Sequence, residues 1–68
     1  MEKGWKEVFL TAHEYKAAIA RDILENEGIK AVVMNQHDSA YQSFGNFIVY
    51  VDELYEQRAL ELLKELKN

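Results

Sequence analysis

A chain of 68 residues has room for one domain with one modest core, and 49% apolar content without proline argues against a disordered or linker-like chain. There is no cysteine to form a disulfide, and two histidines, His13 and His37, do not make the four-ligand set of a structural zinc site. Eight basic against twelve acidic residues leave a formal charge of −4, which disfavours nucleic acid and anionic membrane surfaces as partners. The apolar runs are also too short to span a bilayer.

Residues Trp5 to Thr11 (W-K-E-V-F-L-T) read as a first strand, rich in residues that suit a pleated surface. Thr11 and Glu14 have the spacing of a capping box, in which the threonine hydroxyl bonds the third helical N–H and the glutamate reaches back. A first helix is expected from there to about Glu27. Tyr15, Ile19 and Ile23, together with Ala17, Ala20 and Leu24, form its apolar stripe. Gly28 stands where a left-handed helix cap needs glycine. Ile29 to Met34 (I-K-A-V-V-M) is the second expected strand, and Phe47 to Val51 (F-I-V-Y-V) the third. The polar stretch between them, Asn35 to Asn46, is longer than common hairpin loops. Asp52 can cap a second helix from Glu53 to about Lys67, with Tyr55, Ala59, Leu62, Leu63 and Leu66 on its apolar side.

This order, β-α-β-β-α over a single domain spanning 1–68, predicts an α+β fold. Its antiparallel three-stranded sheet has order 2-3-1, with both helices on one face. The arrangement is ferredoxin-like without its last strand, or with the unpaired edge of strand 1 filled by another chain. Val8, Leu10, Ala31, Val33, Phe47, Val49 and Val51 are expected to face the helices. The opposite face then shows Trp5, Phe9, Val32, Met34, Ile48 and Tyr50, a set too apolar for open solvent. An RNA-stacking platform is one reading of such a face, but the net acidity and the scarcity of basic residues on these strands count against it. Self-association as a homodimer is the simpler expectation.

The run from Lys16 to Val33 (K-A-A-I-A-R-D-I-L-E-N-E-G-I-K-A-V-V) resembles a family of small bacterial proteins assigned to signal transduction. So does the loop N-Q-H-D-S-A-Y-Q-S-F-G followed by F-I-V-Y-V. The shared pattern falls on Ala17, Leu24-Glu25, Gly28-Ile29, Asp38, Ser39 and Tyr41, and the similarity extends from Trp5 to about Leu63. That family is likened to nitrogen-regulatory PII-type proteins, so the resemblance implies a PII-like, ferredoxin-like fold but no particular reaction or cofactor. PII-type proteins carry a long loop that binds nucleotide or partner proteins. The glycine-rich basic phosphate site of such a loop is absent from this sequence, so nucleotide binding does not carry over.

The long loop offers Asp38, Ser39, Tyr41 and Phe44 as a ligand or partner site, or as a local turn whose aromatics seal the core. Ser39 or Ser43 as a nucleophile would need a positioned base. His37 is too close in sequence to Ser39 to serve readily, and no oxyanion donor is visible. His37 with Asp38 makes two metal ligands, too few for a site. The expectations are therefore no catalytic residues, no metal and no cofactor. The chain reads as a cytoplasmic, non-enzymatic interaction or signal-transducing module, a homodimer with an unidentified protein partner. The alternative is a small-molecule binding protein whose pocket is formed by the Asp38 to Phe44 loop.

Overall fold

The computed structural model of the chain describes residues 4–36 and 46–66. The elements are β1 (Trp5–Thr11), α1 (Glu14–Asn26), β2 (Ala31–Gln36), β3 (Asn46–Asp52), a 3-10 turn (Glu53–Tyr55) and α2 (Glu56–Leu63). The strands form one antiparallel sheet ordered β1-β3-β2, so the fold is the expected α+β arrangement with sheet order 2-3-1, consistent with a ferredoxin-like fold. Both helices pack on one side of it. Ala17, Ala20 and Leu24 of α1 and Ala59 and Leu63 of α2 share a single core with Ala31, Val49 and Val51.

The buried positions of the helices are mostly alanine, which lets them sit close to the sheet. Tyr15 and Ile19, expected in the α1 stripe, instead point outward, and Tyr15 is 61% exposed. At about 100° per residue they fall on the far side of the helix from Ala17 and Ala20, and the sheet can contact only one side. Tyr55 is likewise exposed, because it closes the 3-10 turn ahead of α2.

The junctions carry much of the local specification. The expected capping box at Thr11 does not form. Thr11 stays in β1 opposite Phe47, its hydroxyl accepts a hydrogen bond from the His13 N–H at 3.1 Å, and the helix starts after His13. At the other end Gly28 has φ 82°, its N–H bonds the Glu25 carbonyl at 3.0 Å, and the Ile29 N–H bonds the Leu24 carbonyl at 3.0 Å. This pair of bonds is a Schellman cap, and the burial of Ile29 and Leu24 completes it. The cap also explains why β2 starts at Ala31 rather than Ile29: the Ile29 N–H is already used. The ladder then continues to Gln36 opposite Asn46, further into the polar stretch than expected. Asp52 does cap, accepting from the Leu54 N–H at 2.9 Å, but the chain then makes a 3-10 turn before entering a helix shorter than predicted. The Glu53 N–H reaches the Gly4 carbonyl at 2.6 Å and ties the start of β1 to this turn.

One irregularity changes the face assignment. Glu7 pairs with Tyr50, and the next pair is Phe9 with Val49, so Val8 has no partner on β3. This bulge puts two residues against one and resets the alternation. Val8 and Phe9 both enter the core, each 8% exposed, while Leu10 turns away from the helices and is 40% exposed. The expectation that Leu10 faces the helices and Phe9 the open side is therefore reversed.

Two stability measurements check these features. A Cβ at Gly28 would meet nothing within 4 Å, so the cost of substitution there is conformational. Gly28→Val should destabilise by about 1 kcal/mol or more in chemical denaturation, and Gly28→Asn by clearly less, because asparagine tolerates the left-handed region. Phe9→Ala should cost about 3–5 kcal/mol and Leu10→Ala about 1 kcal/mol or less. Strict alternation along β1 would give the opposite ranking.

Candidate functional site

Register decides what the helix-free face of the sheet displays, since residues directly opposite in an antiparallel pair project to the same side. Tyr50 sits between Glu7 and Val32, Ile48 between Leu10 and Met34, and Asp52 lies opposite Trp5. Lys30 lies between the buried Ile29 and Ala31, so it also projects to this side, next to Asp52 when the β2–β3 register is extended. The face thus has an apolar centre of Leu10, Met34, Val32, Ile48 and Tyr50. Trp5, Glu7, Lys30 and Asp52 stand at one end.

Of the six residues expected here, Trp5, Val32, Met34, Ile48 and Tyr50 occupy the face, whereas Phe9 lies in the core and Leu10 takes its place. Met34 is 43% exposed, and Trp5, Val32 and Tyr50 are partly buried. Ile48, on the central strand between Leu10 and Met34, is only 7% exposed within one chain. Substitutions at Leu10 and Met34 therefore probe this surface, while one at Ile48 would disturb the fold. Leu10, Glu7 and Lys30 were not anticipated as members of the face. The signal for Leu10 was the uninterrupted apolar run V-F-L, which does not set its own phase.

The loop residues Asp38, Ser39, Tyr41 and Phe44 lie outside the described residues. Beside that connection, on the helix side, is a cleft of about 320 Å³. Ala17, Val33 and Phe47 give it apolar walls, and Glu14, Arg21 and Asn35 bring polar groups to it.

Elsewhere polar chemistry is sparse. The ion pair between Arg58 and Glu27, at 3.0 Å, is exposed on both sides and is worth well under about 1 kcal/mol. His13 is exposed, with its ring 5.6 Å from that of Tyr15. Among the described residues no group of three or more His, Cys, Asp or Glu side chains is placed to hold a metal ion. Nor, among them, is any helix long and apolar enough to cross a membrane.

No curated protein and no solved structure matches the chain. A family model does, over residues 5–67, which is nearly the full length and includes every strand and helix described above. The chain belongs to the family described as "putative prokaryotic signal transducing protein".

Proposed function

We propose that this chain is a non-enzymatic bacterial interaction module of the cytoplasm that works as a homodimer, with the helix-free face of its sheet as the contact between copies. The observation that carries this reading is the apolar centre of that face, with Leu10 and Met34 each at least 40% exposed beside Trp5, Val32 and Tyr50. A sheet with one solvated face normally alternates apolar with polar residues, and this one does not. Strands about 3.3 Å per residue and about 4.8 Å apart give a flat footprint of roughly 300 Å². That is below the roughly 800 Å² per partner of a standard interface, so the dimer expected is micromolar and exchangeable rather than obligate. Exchange at that strength suits a module whose surface is shared between its own copy and a signalling partner.

Sedimentation equilibrium from about 5 to 500 μM tests the assembly. The mass should rise from 7.9 kDa toward twice that value. Met34→Lys should weaken association at least tenfold without lowering the unfolding midpoint. A monomer throughout the range overturns the reading.

The cleft beside Arg21 supports a second reading, a small-molecule binding protein. Apolar walls with Arg21, Asn35 and Glu14 among the lining suit a compact apolar molecule whose carboxylate pairs with Arg21. In a thermal-shift screen, aryl and branched aliphatic carboxylates at millimolar concentration should raise the midpoint of the native chain but not of Arg21→Ala. A flat response to these carboxylates removes this reading.

A further inference from the structure

The two edges of the sheet are protected unequally. At the β1 edge the bulge at Val8 breaks the row of backbone groups, and Lys6 and Glu7 stand exposed beside it. Along the β2 edge, Ala31 to Met34 carry neither charge nor proline, and the ladder with β3 runs without a bulge. Among the described residues β2 pairs only with β3, so every second residue of this stretch turns its N–H and C=O outward.

The cleft of about 320 Å³ lies along the same edge. Glu14, Ala18 and Arg21 follow one another at i, i+4 and i+7 and form one flank of α1. On the opposite flank, Glu27 just past the end of α1 pairs with Arg58 of α2, and α2 itself packs mainly on β1. The Glu14–Arg21 flank therefore overlooks the free side of β2, next to Val33 and Asn35. Thr11 and Asn35 both pair with Phe47, so α1 starts at the Asn35 end of β2 and runs back along it. Glu14 thus stands at the Asn35 end of the cleft, and Arg21 lies two turns or about 10 Å further on. Both are exposed, and neither has an ion-pair partner among the described residues. The cleft has a negative end, an apolar floor of Ala17, Val33 and Phe47, and a positive end.

We propose that β2 takes up an extended segment of another protein as an added antiparallel strand, whose alternate side chains enter this cleft. Antiparallel is the orientation of every pair in the sheet and the more stable one per residue. A segment running that way enters at Glu14 and leaves at Arg21. Side chains on one face of a strand recur about every 7 Å. A basic, an apolar and an acidic residue at every second position then meet Glu14, the apolar floor and Arg21 in that order. A second copy does not fit this description. Ala31 and Val33 of its own β2 already pack under its own helices, and with Asn35 they bring no charge. The added strand is also separate from self-association, which uses the helix-free side.

Two blocked peptides of about seven residues test the proposal, each with threonine at its odd positions. One carries lysine, leucine and glutamate in that order at the even positions, and the other carries them reversed. Composition and charge are identical, so only a directional site separates them. In NMR titrations the lysine-first peptide should bind at least about tenfold more tightly. The double variant Glu14→Arg, Arg21→Glu keeps the formal charge at −4 and should invert the preference, with its denaturation midpoint confirming the fold. N-methylation of one alternate set of peptide amides should abolish binding, and of the other set should not. No binding of either peptide at millimolar concentration, equal binding of the two, or equal tolerance of both methylation sets overturns the proposal. Aryl carboxylates that raise the unfolding midpoint while both peptides fail would keep the small-molecule reading and remove this one. Sedimentation of the chain alone reads self-association independently of either result.

Discussion

Every layer of this molecule is referred to β3. Among the described residues it is the only strand paired on both sides, and Val49 and Val51 have no solvent exposure. Its alternation sends Phe47, Val49 and Val51 toward the helices and Ile48 and Tyr50 to the other side. Because both neighbours are antiparallel and in register, each takes its sidedness from β3. β2 follows it without a break. β1 follows it except at Val8, and that exception supplies the core with two adjacent side chains at the cost of one regular ladder position.

The small helical residues complete the arrangement. Ala17, Ala20 and Ala59 let the helices approach the sheet, and Leu24 and Leu63 fill the space between the layers. Two helices cover one side of the three strands, and no described helix lies on the other. In a chain of 68 residues the apolar material is divided between an internal core and an external surface.

Much of this was legible in the sequence, and the reasons are specific. β3 reads as a strand because F-I-V-Y-V has no competing interpretation, and Gly28 reads as a cap because it stands alone between a helical period and a β-rich run. β1 was placed correctly from end to end, yet its interior was misread. In V-F-L-T every residue suits either face, so nothing local records which one the ladder skips. Thr11 and Glu14 matched a capping pattern, but pairing with Phe47 held the threonine in the strand, a tertiary contact that local spacing cannot anticipate. The outward turn of Tyr15 and Ile19 has a similar origin: the sheet can receive only one side of α1, and alanines fit it more closely. Trp5, Val32, Met34, Ile48 and Tyr50 lie on the helix-free side because β2 and β3 are regular and β1 keeps phase with β3 from Trp5 to Glu7. Glu7 joins them because it pairs with Tyr50, a placement that apolar patterning does not reveal.

The bulge at Val8 also governs which edges of the sheet can grow. An open sheet has two edges, and pairing one with the other in successive molecules would extend a filament without limit. Here β1 presents a kinked edge with Lys6 and Glu7 exposed beside the kink, so an incoming strand finds no continuous row of partners. The β2 edge is regular over Ala31–Gln36, so of the two it is the better template for an added strand. One bulged residue thus makes the two edges of the described sheet unlike.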